Sequence, residues 1–266
     1  MAAIPRPTAC LIIGIDNHVG AYLARLLDAR GAAVAGTGDP GITAQLGVAD
    51  AIAAVDDTDI AAAIGEARLV FAISDGSTQR ADLLARSLEA AGGQAQPPRF
   101  VHVAEAADVD VPTVRDTIAR VTAASGIAAA NLLLNAHESR FGTRPTLMAE
   151  IIAAAAQGAA RLRVIAEPGP RDWGWTPEYV DAVQRAALVD KLTDCVIASG
   201  HTLTATAITE AAFGYFNRNA ADHLRIEGSG TQAAPIDLTA LRAETGWTAT
   251  TWGTDLVHAL CEGAAA

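Results

Sequence analysis

Apolar residues arrive in short blocks separated by longer amphipathic stretches. Residues 9–13, Ala-Cys-Leu-Ile-Ile, form one such block, closed by a glycine, and its length suits a strand buried on both faces. From 19 to 30 the period changes, because Leu23, Leu26 and Leu27 share one helical face. The alternation then repeats. It predicts strands at 33–35, 51–55, 69–73, 100–103 and 128–134, helices at 58–67, 78–91 and 114–124, and a turn-rich loop at 92–98. Strands spaced by helices of this length are joined by crossovers, which predicts an α/β fold with a parallel, doubly wound sheet.

Beyond residue 134 the rhythm loosens. Glycine, proline and tryptophan gather in 167–176, followed by an expected helix at 177–189, a strand at 195–198 and a helix at 204–215. The expected division is therefore a Rossmann-type part, 1–135, and a mixed α/β part, 136–266. The second part should carry a small C-terminal lobe for a substrate, since ligands of open α/β sheets bind at the carboxyl ends of the strands. The alanine-rich end, 263–266, is expected to fray.

Composition narrows the partners. The 266 residues are 51% hydrophobic, enough for a sizeable core. A formal net charge of −11 disfavours nucleic acid and anionic membrane surfaces, both of which need basic side chains. No signal peptide is expected from the N-terminal pattern, and the apolar run 151–160 is too short to span a bilayer. Cys10, Cys195 and Cys261 are far apart, which excludes metal spacing and fits reduced thiols in a cytoplasmic protein.

Between the first strand and its helix the chain reads Gly14-Ile-Asp-Asn17-His-Val-Gly20. Such a strand–turn–helix junction can set backbone amides and a helix N-terminus against the pyrophosphate of a dinucleotide. The outer glycines are in place, but Asn17 stands in the middle. Asparagine tolerates left-handed φ, so the turn can form, yet its side chain crowds the phosphate position. Two readings stay open: a dinucleotide site, or a turn of the same shape without a cofactor. Asp39, past the second strand, can take the two ribose hydroxyls of NAD. NADP would want arginine there, and residues 36–44 hold no basic side chain. The competing role for Asp39-Pro-Gly41 is a plain turn. Asp56 can meet an adenine amino group, or one of Asp56, Asp57 and Thr58 caps the next helix.

Further along come Asn135-Ala-His-Glu-Ser139, Arg171-Asp-Trp-Gly174, Glu178-Tyr-Val-Asp-Ala182 and Val196-Ile-Ala-Ser-Gly200. In this order they resemble the GDP-mannose 4,6-dehydratases, NAD(P)-dependent members of the extended short-chain dehydrogenase/reductase (epimerase/dehydratase) class. Ala21-Tyr-Leu-Ala-Arg-Leu-Leu27 and the run from Ile236 to Gly246-Trp247 are similar to the family as well. The resemblance covers nearly the whole of this shorter chain.

The resemblance implies a tyrosine base with a lysine four residues later, a Ser or Thr after the fifth strand, and a glutamate beside it. The ammonium makes the phenolate accessible, so the pair works as a unit. Here Thr113 stands at the tyrosine position and Thr117 at the lysine position, while Lys191 is the chain's one lysine. Ala104-Glu105-Ala106 replaces the hydroxyl-bearing run, leaving Glu105 near the glutamate position. His102 and Glu105 can trade protons in principle, or His102 is simply one face of a strand. Arg115 adds a fixed cation but no proton chemistry.

For a nucleotide-sugar, the resemblance points to Asn135, Arg140 and Arg171, with Arg144 nearby. Ala136 is an added residue, and Ala149 and Glu150 stand where basic residues are expected. Arg171 can grip a diphosphate or pair with Asp172 or Glu178; Trp173 and Trp175 can cover a ring or fill the core. The segment after the second strand is short, which argues against the family's tetramer and leaves a homodimer through helices 78–91 and 114–124. Two functions remain: a non-catalytic homologue that binds a nucleotide or nucleotide-sugar, or a nucleotide-sugar dehydratase, epimerase or reductase with atypical catalytic residues.

Overall fold

A computed structural model describes residues 9–105, 108, 111–142, 145–158, 163–166, 168–228, 230–231 and 234–265. In chain order the elements are β1 (Cys10–Ile13), α1 (His18–Ala29), β2 (Val34–Thr37), α2 (Gly41–Gln45), β3 (Ile52–Ala54), α3 (Ile60–Glu66), β4 (Leu69–Ile73), α4 (Thr78–Gly92), β5 (Arg99–Glu105), α5 (Val111–Ser125) and β6 (Ala129–Leu134). There follow β7 (His137–Glu138), α6 (Leu147–Gln157), β8 (Arg163–Ala166), β9 (Arg171–Asp172), β10 (Gly174–Trp175), α7 (Thr176–Leu188), β11 (Cys195–Ile197), β12 (Thr202–Leu203), α8 (Ala205–Tyr215), β13 (Leu224–Glu227), α9 (Thr239–Thr245) and α10 (Gly253–Ala265).

Two compact units result. The first comprises Met1–Leu134, Val180–Ile197 and Ala240–Trp247; the second comprises Asn135–Tyr179, Ala198–Thr239 and Thr248–Ala266. The chain thus re-enters the first unit twice after residue 134.

The first unit is built on a seven-stranded sheet in the order β11-β6-β5-β4-β1-β2-β3. Every pairing in it is parallel. This is the doubly wound Rossmann-type α/β fold that the apolar blocks predict. β4 is buried at all five positions, as a strand with helices on both faces must be. On α4, Ala81, Leu84, Leu88 and Ala91 recur at helical spacing and pack with Val114, Ile118 and Val121 of α5 against Leu11, Val70 and Phe100. Strand order reverses around β1, which lies between β4 and β2, and ligand crevices of such sheets open at that point.

A polar ladder, buried at His102 and Asn131 and ending on exposed Asp194, links β5 and β6 to the residue before β11. His102 Nδ1 lies 2.8 Å from Asn131 Oδ1, and Asn131 donates its backbone amide to Asp194 at 2.8 Å. His102 is fully buried, so the face-of-a-strand role is the one it fills.

The second unit has its own core, formed where α6, α8 and α10 bring Met148, Ile151, Ile208, Phe213, Leu256, Val257 and Cys261 together with Trp173. Trp173 is 5% exposed and Trp175 packs beside it, so both tryptophans serve the core. α10 runs through Ala265, and Gly263 lets it pass against Arg140, since a Cβ there would sit 2.6 Å from Arg140 Cγ; residue 266, the last of the end expected to fray, lies outside the described residues. α3 begins after Asp59 with no side-chain cap, which corrects the expectation that Asp56, Asp57 or Thr58 supplies one.

Candidate functional site

The glycine turn after β1 explains its own residues. Gly14 has φ +104, a left-handed conformation that disfavours a side chain, and its amide donates to the Thr37 carbonyl at 3.2 Å. Gly20 is required for a different reason. A Cβ there would lie 2.1 Å from the Gly14 carbonyl oxygen, so only glycine lets α1 approach the turn this closely.

Asn17 is the N-cap of α1, in extended conformation with φ −92, so the turn needs no left-handed residue there and the expected reason for tolerating asparagine is corrected. Its Oδ1 accepts from Val19 N at 2.8 Å, and its amide donates to the Ser74 carbonyl at 3.3 Å. A helix N-terminus that presents free amides attracts phosphate. Here one of those amides is satisfied by the chain itself.

Charge completes the picture at the mouth of the turn. Arg80 Nη2 contacts both carboxylate oxygens of Asp16, at 3.0 and 2.8 Å, and Arg80 Nε lies 3.6 Å from Asp75. Arg80 Nη1 would be 3.0 Å from a Cβ at Gly14, so the guanidinium lies over the turn. Asp16 in turn is seated against Gly38, where φ is +105 and a Cβ would meet Asp16 Oδ1 at 2.7 Å. Burial pushes the Asp75 carboxyl up, but the Ser77 hydroxyl and amide and the Arg80 cation outweigh it and hold it below the ordinary carboxylate value. Ser77 also caps α4 by accepting from Arg80 N at 3.1 Å, which fixes where Arg80 starts.

These groups border a cavity of about 460 Å³ at the carboxyl ends of β1 to β4, lined among others by Asp16, Thr37, Gly38, Asp57, Arg80 and Arg86. The backbone cradle suits a dinucleotide. The side chains at its mouth do not suit a diphosphate as they stand, because a carboxylate already holds the cation and an asparagine already caps the helix.

The other sequence candidates distribute as follows. Asp39 is exposed and its carboxylate accepts from Gly41 N at 2.7 Å, which is the plain-turn role. Asp56 is exposed, and the residue that lines the cavity is Asp57. On α5, Thr117 is buried and its hydroxyl donates to the Thr113 carbonyl at 3.0 Å, while Thr113 is exposed. Glu105 ends β5, its amide donating to Asp108 at 3.0 Å; Ala106 and Arg144 lie outside the described residues.

In the second unit the motif residues are turned inward. Asp172 accepts from Ser199 N at 2.9 Å, Ser199 Oγ at 2.8 Å and Gly200 N at 2.6 Å, and the Tyr179 hydroxyl stands 3.5 Å away. Burial first, then the Asp172 charge, pushes the Tyr179 phenol well above its ordinary range, so it stays protonated near neutrality. Glu178 accepts from the amides of Thr250 and Thr251 at 2.8 and 3.1 Å. With Asp172 and Glu178 both committed, the ion pair that was one of the two alternatives for Arg171 does not form; Arg171 is exposed and makes no ion pair among the described residues. Asn135 donates to the Asp172 carbonyl at 3.2 Å, and Arg140 lies 3.6 Å from Glu262. The added Ala136 is absorbed by pairing, its carbonyl accepting from Gly174 N at 2.9 Å. His137 and Glu138 are buried, bonded to Thr176 and Thr146 respectively.

Three other features bear on chemistry. Burial pushes the Cys10, Cys195 and Cys261 thiols up to about 11, so they remain thiols. Among the described residues no group of His, Cys, Asp and Glu forms a metal site, and no helix is long and apolar enough to cross a membrane.

Sequence reasoning missed Asp16, Asp75 and Arg80. Their charges were visible, but Arg80 and Asp16 are 64 positions apart and no local pattern pairs them.

Among solved structures, UDP-glucuronic acid 4-epimerase from Bacillus cereus, determined with UDP-glucuronic acid and NAD, superposes with a TM-score of 0.81 at 11% identity over 96% of this chain and 98% of that one. UDP-glucose 4-epimerase from Thermotoga maritima, with UDP-glucose, gives 0.77 at 11% identity over 96% and 98%. The Bordetella bronchiseptica enzyme WbmF, with NADH, gives 0.74 at 15% identity over 97% and 91%. At such identities they establish the shared fold. No curated protein sequence matches the chain. The family model for GDP-mannose 4,6 dehydratase matches residues 114–258, more than half of the chain, and with the fold and motif order above this places the protein in the GDP-mannose 4,6-dehydratase family.

Proposed function

We propose that this chain is a non-catalytic member of its family that binds a nucleotide-type ligand, NAD(P) or a nucleotide-sugar, without performing the family's hydride chemistry. The observation that carries this is α5. At the positions that the family resemblance assigns to the tyrosine and lysine, the chain has Thr113 and Thr117, and the Thr117 hydroxyl is spent on the Thr113 carbonyl at 3.0 Å. Threonine does not act as a base near neutral pH. No tyrosine replaces it on α5: Tyr22 lies on α1, Tyr215 on α8, and Tyr179 is buried against Asp172 with its phenol held protonated.

Ligand binding is supported by the crevice rather than by any one contact. The glycine turn keeps its shape, the sheet reverses beside it, and a cavity of about 460 Å³ opens there. The relatives named above are described with NAD, NADH or UDP-sugars, which makes the same ligand class the first to test. NAD is favoured over NADP by exposed Asp39, whose bond from Gly41 N uses one carboxylate oxygen, and by the lack of a basic residue in 36–44. A homodimer through α4 and α5, and a cytoplasmic location, belong to the same reading.

The test is to titrate the purified protein with NAD(H), NADP(H), GDP-mannose and UDP-glucose, and to follow absorbance at 340 nm over hours with paired cofactor and sugar. Saturable binding without absorbance change is expected. Sugar-dependent turnover would overturn the non-catalytic reading, and no binding to any of the ligands would overturn the whole proposal.

A further inference from the structure

We propose that Arg80 is the residue that receives a ligand phosphate in this crevice, and that Asp16 is its internal stand-in, which an incoming diphosphate must displace. This rests on the reading that the Gly14 crevice takes a nucleotide.

The geometry is that of an occupied anion site. Arg80 Nη2 contacts both oxygens of the Asp16 carboxylate, at 3.0 and 2.8 Å, and two oxygens of a phosphate can accept from a guanidinium in the same way. The cation is well placed for such a ligand. It lies over the Gly14 turn, at the point where strand order reverses, and begins on a helix turn fixed by Ser77. The carboxylate is placed by a second glycine, since Gly38 without a Cβ leaves the seat in which Asp16 rests.

Exchange is cheap on the Asp16 side. Its side chain is 36% exposed, so leaving Arg80 returns the carboxylate to water rather than burying a bare charge. The Arg80 side chain is only 12% exposed and so profits from any anion that replaces Asp16. The cost is electrostatic, because a diphosphate in this cavity faces Asp57 and Asp75 as well as Asp16, against Arg80 and Arg86. Removing the Asp16 charge should therefore open the site, whereas removing Arg80 should empty it of affinity.

Those opposite signs separate this role from a clip that merely joins α4 to the turn. The experiment measures NADH and NADPH affinity by fluorescence for the wild type, Asp16→Asn, Arg80→Gln and the double variant, with thermal unfolding of each. Asp16→Ser stands in if Asp16→Asn fails to fold. The expected result is at least tenfold tighter binding for Asp16→Asn than for the wild type, weaker binding for Arg80→Gln, and a double variant that behaves like Arg80→Gln. Equal affinity of wild type and Asp16→Asn would overturn the stand-in role while leaving nucleotide binding intact. So would a loss of affinity in Asp16→Asn with a lower unfolding temperature, the mark of a clip. Absence of binding in all four proteins would overturn the nucleotide reading and this inference with it.

Discussion

Two aspartates sit in the two most recognisable motifs of this chain, and they are held in opposite ways. Asp172, in the Arg-Asp-Trp-Gly run, is buried and satisfied by two backbone amides, a serine hydroxyl and a nearby phenol, all neutral and all fixed by the fold. Asp16, in the glycine turn, is part-exposed and held by one arginine side chain. A carboxylate held by backbone amides is architecture, because nothing can replace it without moving the chain. A carboxylate held by a guanidinium at a crevice is exchangeable. Motifs that look equally diagnostic in sequence thus belong to different trades: one organises the second unit, the other guards an opening in the first.

The largest effect should come from breaking the buried case. Asp172→Ala leaves the amides of Ser199 and Gly200 without acceptors, so we expect a loss of roughly 3–5 kcal/mol in urea unfolding. A loss below about 1 kcal/mol would show that Asp172 is no more structural than Asp16. Next is the close approach in the first unit. Gly20→Ala drives a methyl to within 2.1 Å of the Gly14 carbonyl, so about 3 kcal/mol should be lost and α1 displaced, detectable by denaturant unfolding and by amide exchange in α1. An unchanged Gly20→Ala would mean that the turn is soft enough to rearrange without help from Asp16 or Arg80.

The smallest effect is acid sensitivity of the exposed cluster. Asp75 has a folded value below the ordinary one, so its contribution is present above about pH 4 and fades as pH falls through the lowered folded value. Its side chain is 40% exposed, so the contribution should stay under about 1 kcal/mol. Wild type and Asp75→Asn should therefore differ slightly at neutral pH and converge on acidification; a difference that grows in acid would contradict the arrangement.

What could be read from sequence follows the same divide between local and distant causes. β4 and α4 were legible because burial on both faces makes an apolar run, and burial on one face makes a period. α6 was not, since Leu147, Met148, Ile151, Ile152 and four successive alanines leave no polar face to give a period, and the run suggested only a membrane question. β8 and β13 pair in parallel across about sixty residues, and each is only four residues long, so neither announces its partner. At the candidate site, Gly14, Gly20 and Asn17 were legible from spacing, and the structure supplied a distinct reason for each. Asp39 was chosen by position along the chain, and its bond from Gly41 N shows that an aspartate before Pro-Gly also orders its own turn. Arg80 was illegible because its role is set by a partner sixty-four residues earlier.

The re-entry of 180–197 into the first unit has a consequence for how the protein can be made and cut. β11 is an edge of the sheet, and Asp194 just before it completes the chain of polar contacts through Asn131 to His102. A chain that stops at residue 135 lacks the strand that pairs with β6 on this side, and an uncovered strand side invites pairing with another chain. An expression design that stops at residue 135 is therefore expected to aggregate more readily than one that extends through residue 197, where β11 covers β6.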